Sequence, residues 1–372
     1  MKKIAIFMFI DAMGWEIIKD RDFLKEVLPH RYRVQMQFGY SSTAIPTILT
    51  GQRPTSHKHL SFYYYAPEKS PFKVLARMGF GLLPSAIADR WRVRHVLSKL
   101  VAKYYGYTGY FEMYAMPFTR LPYFDYIEKT DIFVPGGLSP VRNLADVLVE
   151  RGIPHHISNW RLSEDQNIEA LLQDVRKGEI KFAFLYTAAM DGLLHRVTKD
   201  AIAVGTKLDW YESRIRALMQ EAESVYQDVQ FAVFSDHGMT TLAGVVDVKS
   251  AVEPLGFKFG KDYAAVYDST MARFWFLNTS CRQAILEALT GVPHAHVLDD
   301  AELERYHIDF PDHMYGEYYL LMDPGWQIEP SDMGLKALPG MHGFAPEHED
   351  SYAALLSSRP CDLELNYVGD YF

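Results

Sequence analysis

Cysteine is nearly missing from this chain: Cys281 and Cys361 are the only two among 372 residues. So far apart, they form neither a disulfide framework nor a cysteine-rich zinc knuckle, and any metal must be held by histidine and carboxylate. Long apolar runs are missing too. No stretch approaches the ~20 residues that a membrane-spanning helix requires. Nor is there an excess of basic residues: 38 Lys and Arg against 47 Asp and Glu leave a net charge of −9. That balance excludes the broad basic surface of a protein built to hold a nucleic-acid polymer. Internal repeats and low-complexity tracts are absent. The start, Met1-Lys2-Lys3 before the apolar run Ile4 to Ile10, imitates a secretory leader. The run is short, ends at Asp11 and lacks a small-residue cleavage site, so a first buried strand of a soluble, cytoplasmic protein is the expectation.

What is present points to an α/β protein. A chain of this length fits one large α/β domain with an insertion, or two modest domains. Residues 4–10 read as a central parallel strand, continuous in apolar character. A helix is expected over 14–29 and another over 138–151, followed by a helix near 164–177, a strand at 181–187, a long helix near 205–226 and a strand at 230–235. Strands alternating with helices of this length predict a doubly wound, mostly parallel sheet with helices on both faces. Residues 263–277 and 315–322 read as strands around a helix near 281–289. The expected division is a core of 1–244 and 336–372, carrying a lid over about 62–135, with a smaller α+β insertion at 245–335. The 24 Tyr and 22 Phe are rich for any chain, and packed layers account for them better than a substrate cleft does.

One segment differs in charge from the rest. Over 69–103, Lys69, Lys73, Arg77, Arg90, Arg92, Arg94, Lys99 and Lys103 face Asp89 as the sole acid. Leu82, Leu83, Ile87, Trp91, Val93, Val96, Leu97 and Leu100 are interleaved with them. An amphipathic basic stretch in an acidic protein lies against anionic lipid or receives an anionic substrate. A helical lid packed on the body, its charges solvated, explains it more plainly, and the two roles are compatible.

Four fragments carry chemistry. Asp11 closes the first apolar run, and Asp236-His237-Gly238 follows Phe231 to Ser235. Asp191 and His195 stand four apart after Phe182 to Tyr186, and His342-Gly343 follows a glycine-rich turn. Three Asp and three His make the mixed oxygen and nitrogen set that a pair of divalent metals takes. Three of the fragments fall just past the carboxyl ends of expected strands, where ligands gather in doubly wound sheets. Taken alone, Asp191 and His195 are an ordinary helical i, i+4 pair. The run Ser41-Ser42-Thr43 to Thr50-Gly51 offers hydroxyls that a nearby cation acidifies into nucleophiles, although hydroxyl-rich loops more often serve as caps and turns.

The order of these fragments resembles the alkaline phosphatase superfamily, in particular its type I phosphodiesterase/nucleotide pyrophosphatase branch. That branch has an Asp after the first strand, a Ser or Thr ten residues before the glycine of a Thr-Gly, then Pro-x-x-His. Here these are Asp11, Ser41, Thr50-Gly51 and Pro54 to His57. Asp-x-x-x-His, Asp-His-Gly-Met and a final His-Gly follow as Asp191 to His195, Asp236 to Met239 and His342-Gly343. The resemblance spans residues 4–343. It implies two metals, one held by Asp191, His195 and His342, the other by Asp11, Asp236, His237 and the nucleophile. The family's usual pair is zinc, and manganese or iron fits the same ligands. Spacing selects Ser41 as nucleophile, with Ser42 and Thr43 as runners-up because a shift of one or two residues promotes either. The branch often places Thr there, so Ser41 is a departure. His57 is expected to fix the loop after the nucleophile helix, nothing beyond proximity supports His59 as a ligand, and His155, His156, His294 and His296 are expected in surface or core roles.

The implied activity is hydrolysis of phosphate esters through a phosphoenzyme, on a small-molecule substrate or a glycan- or lipid-linked phosphate. No cluster of positive groups like that of a phosphomonoesterase surrounds the nucleophile, Arg53 apart, which favours diesters. Monoester, phosphonate or sulfate ester hydrolysis and phosphate-group mutase activity are the alternatives within the superfamily. A membrane-surface enzyme working through 69–103 and a metal-binding protein without catalysis are alternatives of other kinds.

Overall fold

A computed structural model describes residues 2–361 and 366–372. The chain forms two compact units, each built from separated stretches of sequence. The first comprises Met1–His57, Ile132–Thr241 and Pro346–Phe372, and the second Lys58–Asp131 and Leu242–Ala345.

The first unit is organised by a six-stranded sheet. Its strands are β1 (Lys3–Ile10), β2 (His30–Val34), β3 (His155–Ile157), β4 (Phe182–Thr187), β5 (Asp228–Phe234) and β6 (Ala353–Ser357), in the spatial order β2-β6-β5-β1-β4-β3. All pairs are parallel except those of β6, which is antiparallel to both β2 and β5. This is the expected doubly wound sheet. Successive side chains of a strand point to opposite faces, and β1 shows why a continuous apolar run is needed. Ile4, Ile6, Met8 and Ile10 enter one core with α3 (Glu164–Lys177) and α5 (Ala201–Val225). Phe9, with Phe7 packed beside it, enters the other core with α1 (Ser41–Thr50) and α2 (Leu144–Glu150). A short helix, α4 (Ala189–Val197), follows β4.

Two helix expectations in this unit are corrected. Residues 14–29 contain only the single turn Trp15–Ile18. Leu24 takes a left-handed φ of 56°, which a continuing helix of L-residues does not accommodate. The helix expected from residue 138 starts at Leu144. Asn143 stops it earlier by capping: its side chain accepts from the Asp146 amide at 2.9 Å, and Asp146 accepts from the Asn143 amide at 2.9 Å. Such a reciprocal box favours a start at that residue over any upstream.

The second unit holds a four-stranded antiparallel sheet in the order 263–267, 271–276, 318–322, 295–297. The expected strand at 263–277 is two strands joined by a turn at Asp268-Ser269-Thr270. Fully buried Asp268 accepts from Arg273 Nε at 2.9 Å, and Arg273 also donates to Ser61 Oγ and the Tyr63 and Tyr315 carbonyls. The buried charge is therefore satisfied on several sides, as burial demands. The helix Thr279–Thr290 lays Cys281, Ile285 and Leu289 on one apolar cluster. The antiparallel strand pair Tyr63–Tyr65 and Phe124–Tyr126 joins a second cluster with Leu97 and Val101 of the helix Trp91–Tyr105. Among the described residues no helix is long and apolar enough to cross a membrane.

Candidate active site

Three neighbouring strands of the first unit, β4, β1 and β5, end beside one another and deliver their following residues to one place. After β1 comes Asp11, buried, and then Ala12, which takes φ 61° so that its amide turns back toward β5. That amide donates to Asp236 Oδ1 at 3.2 Å, and the His237 amide donates to the same oxygen at 3.0 Å. Asp236 and His237 have no solvent exposure. Past β4, α4 sets Asp191 and His195 one turn apart, with His195 Nε2 3.3 Å from Asp191 Oδ1. The helical i, i+4 arrangement read from sequence is present.

His237 is oriented by its own loop. Its Nδ1 lies 2.9 Å from the Gly238 carbonyl, which as an acceptor requires the proton on Nδ1. In the neutral ring Nε2 then carries the lone pair, the form in which imidazole binds a metal. Nε2 lies 3.0 Å from Ser41 Oγ, 3.2 Å from Asp236 Oδ2 and 3.7 Å from Asp11 Oδ1. Ser41 Oγ also lies 3.4 Å from Asp11 Oδ1, the alternative acceptor for its single proton.

Ser41 is the first residue of α1, so the positive end of that helix dipole falls on its hydroxyl. Ser42 Oγ is buried without a hydrogen-bond partner, whereas Thr43 Oγ1 accepts from the Tyr40 amide at 3.4 Å. Of the three hydroxyls, Ser41 is the one placed against both Asp11 and His237. His57 packs on the same helix. Thr47 Oγ1 donates to the Thr43 carbonyl at 3.0 Å and so accepts from His57 Nε2, also at 3.0 Å. His57 thus fixes the helix body.

One oxygen or nitrogen each from Asp11, Asp191 and His237 lie within 4.8 Å of one another. Their electrostatics fit a cation. Burial first, then repulsion from Asp236 and Asp191, pushes the Asp11 carboxyl well above its ordinary range, against the Ser41 hydrogen bond. Burial opposes protonation of His237, but Asp236 and Asp191 outweigh it and raise its pKa. Asp236 Oδ2, fully buried, accepts no hydrogen bond. Crowded carboxylates around an imidazole lone pair make a donor set suited to a divalent metal.

His342 belongs to the second unit, where it is buried just after Gly340–Met341. His59 is also in that unit, and burial alone takes it down to about 3. The remaining paired histidines have local partners: His155 with the Ile153 carbonyl at 2.7 Å, His156 with Asp174 at 2.9 Å, His296 with Glu302 at 3.1 Å, and His294 stacked on Trp326 at 3.5 Å.

Two supports escaped the sequence reading. Glu164 accepts from the Ala189 amide at 3.0 Å and from Tyr211 Oη and Lys207 Nζ, both at 2.5 Å, and so anchors the start of the helix that bears Asp191. Its position as the first residue of α3 reads only as a capping acid. Gly14 and Gly238 meet back to back: a Cβ on Gly14 would lie 2.4 Å from Gly238 Cα, and one on Gly238 would lie 2.1 Å from the Asp350 carbonyl oxygen. The glycine after Asp11-Ala12-Met13 was the available signal.

No curated protein matches the chain in sequence. Solved structures match in fold. Human ectonucleotide pyrophosphatase/phosphodiesterase 5 superposes with a TM-score of 0.65 at 14% identity, covering 95% of this chain and 87% of that one. The murine counterpart gives 0.66 at 16%, covering 98% and 90%. An inactive variant of the murine protein in complex with AMP gives 0.65 at 16%, covering 96% and 88%. Residues 5–345 match the type I phosphodiesterase / nucleotide pyrophosphatase family. The chain belongs to that family and is a phosphoric ester hydrolase.

Proposed function

We propose that the chain is a phosphodiesterase of the nucleotide pyrophosphatase type, with Ser41 as its nucleophile and two divalent cations, zinc in the first instance, as its cofactors. Asp11, Asp236 and His237 would hold one cation beside Ser41, and Asp191, His195 and His342 the other. Bound there, a divalent cation acidifies an adjacent hydroxyl and offsets charge on phosphoryl oxygens. The observation that carries the reading is the placing of Ser41 Oγ 3.0 Å from His237 Nε2 and 3.4 Å from Asp11 Oδ1, at the start of a helix.

The chain's own residues then have distinct tasks. The Ser41 oxygen attacks phosphorus in line, and its P–O bond forms as the bond to the leaving group breaks; the leaving group departs with the proton that Ser41 gives up, and water cleaves the resulting seryl phosphodiester, which keeps the second ester group, in a second displacement. The Gly238 carbonyl keeps His237 in the tautomer whose Nε2 faces the Ser41 oxygen. His57 and Thr47 hold α1, so the hydroxyl is presented at a fixed angle. Arg53, past the end of that helix, is exposed, which agrees with a diester, one of whose oxygens is already esterified. The AMP held by the murine structure makes a nucleotide diester the first substrate to test.

The test is Ser41→Ala, assayed on bis(p-nitrophenyl) phosphate and a dinucleoside polyphosphate, with metal content measured in parallel. Turnover should fall at least about 10³-fold with metal retained, as loss of a nucleophile does elsewhere, and the wild type quenched in acid should carry one nitrophenyl-phosphoryl or nucleotidyl group on Ser41, according to the substrate. Full turnover by the variant would overturn the assignment. An aryl monoester, a phosphonate ester and an aryl sulfate complete the panel.

A further inference from the structure

We infer that the surface formed by residues 77–104 of the second unit is a docking face for an anionic phospholipid bilayer. The inference rests on what the helix Trp91–Tyr105 does with its sides. One side is used for folding: Leu97 and Val101 enter the apolar cluster of that unit, and Arg94 is buried, donating to the Ala88 and Met116 carbonyls at 2.7 Å each. A helix needs one apolar stripe to pack on its own domain. This one carries a second, because Val96, Leu100 and Tyr104 follow one another at i, i+4, i+8 on the exposed side.

The second stripe is part of a larger patch. Every large hydrophobic of the second unit that is more than half exposed, among the described residues, lies between Met78 and Tyr104, with Leu82 at 89%, Tyr104 at 74% and Trp91 at 69%. The same face is cationic. Arg92, Lys99 and Lys103 are exposed beside the stripe, and Arg77 and Arg90 are exposed on the turns before it. None of these five makes an ion pair with a described residue, whereas Arg94 and Lys73 face Asp89 and Glu68. The second unit thus sets these five cations beside its most exposed apolar side chains. Cations beside apolar and aromatic tips match a bilayer interface, where headgroups take the charge and acyl chains take Leu82, Leu100 and Trp91. A nucleic-acid backbone would satisfy the charge and offer the apolar tips nothing. The face therefore selects lipid over polyanion.

The test uses the full chain with vesicles of phosphatidylcholine, alone or with about one third phosphatidylserine. Sedimentation with the anionic vesicles, lost at high salt, and a blue shift of emission abolished by Trp91→Phe are the expected results. Lys99→Gln with Lys103→Gln should weaken partition about 25-fold, about five-fold per cation removed. Leu100→Ser with Tyr104→Ser should abolish it at unchanged melting temperature, since all four side chains are exposed. Turnover of a soluble diester should be unchanged in every variant, which keeps this test separate from that of the Ser41 mechanism. No sedimentation, equal binding to neutral vesicles, variants that bind like wild type, stronger binding to DNA than to vesicles, or a dimer dissolved by Leu100→Ser would each overturn the inference.

Discussion

Gly238→Ala probes whether the backbone behind the site is as tightly constrained as its geometry indicates. Gly238 has no left-handed φ to protect, so the penalty is spatial alone. The new Cβ would stand 2.1 Å from the Asp350 carbonyl oxygen, against an ordinary contact of 3.4 Å, so something must move about 1.3 Å. Neither neighbour is a flexible side-chain end. The Gly238 amide donates to the Ser351 carbonyl at 3.3 Å, and the Trp15 amide to the Tyr352 carbonyl at 2.9 Å, so both segments are tied down. Overpacking of this kind costs up to about 3 kcal/mol. For a unit of roughly 200 residues that lowers Tm by about 6–12 °C. Turnover should fall about 100-fold as well, because displacing a catalytic loop by an ångström costs that much and His237 precedes the glycine. Gly136→Ala is the control. With φ at 75° and nothing within 4 Å of its Cβ, it should cost only about 1–2 kcal/mol of left-handed strain and no activity. Calorimetry and a diester assay on both variants decide the matter. A Gly238→Ala protein that melts within about 2 °C of wild type and turns over normally would refute the reasoning.

Other residues give independent checks. His57→Ala should destabilise by about 1–2 kcal/mol, since Thr47 Oγ1 loses a buried donor, and should lower kcat more than it raises KM; no change in either would show that α1 does not depend on it. Asn143→Ala should cost about 1 kcal/mol by removing the cap of α2, read from urea midpoints. Asp236→Asn should lower metal content by mass spectrometry while the fold, held by Ala12 and His237 amides that still find an oxygen, survives; full metal loading would contradict its place as a ligand. Glu128 is buried, and burial raises its carboxyl from 4.5 to about 8. A raised acid pKa leaves stability intact below about 4.5 and lost as pH rises toward about 8, at about 1.4 kcal/mol per pH unit. Glu128→Gln should therefore match wild type at low pH and melt progressively higher than it across that window; a constant difference in Tm would refute the assignment.

Much of this fold was legible because strand and helix periods differ so plainly in it. Ile4 to Ile10 could only be a strand covered on both faces, and Glu164–Lys177 could be delimited to the residue because Ser163 and Gly178 cap its two ends. The ends of strands then located Asp11, Asp191, Asp236 and His237. What stayed hidden depended on contacts distant in sequence. Nothing local shows that Leu24 turns left-handed and gives its amide to Glu212 at 3.3 Å, or that Glu164 reaches the start of α4. The hairpin at Asp268 was masked by apolar residues on both of its arms, its turn marked only by a charge whose partner, Arg273, sits in the second arm.

The position of β6 bears on how the protein is made. This strand lies between β2 and β5, so His30–Val34 leaves the ribosome long before Ala353–Ser357 and waits for them before it has a sheet to join. Until Ala353–Ser357 emerge, the nascent polypeptide carries an open edge on β5 and an orphan second strand, both prone to pairing with the wrong chain. Synthesis halted shortly before residue 353 would leave every side chain of the Ser41, Asp11, Asp236 and His237 cluster translated, yet no finished scaffold to hold them.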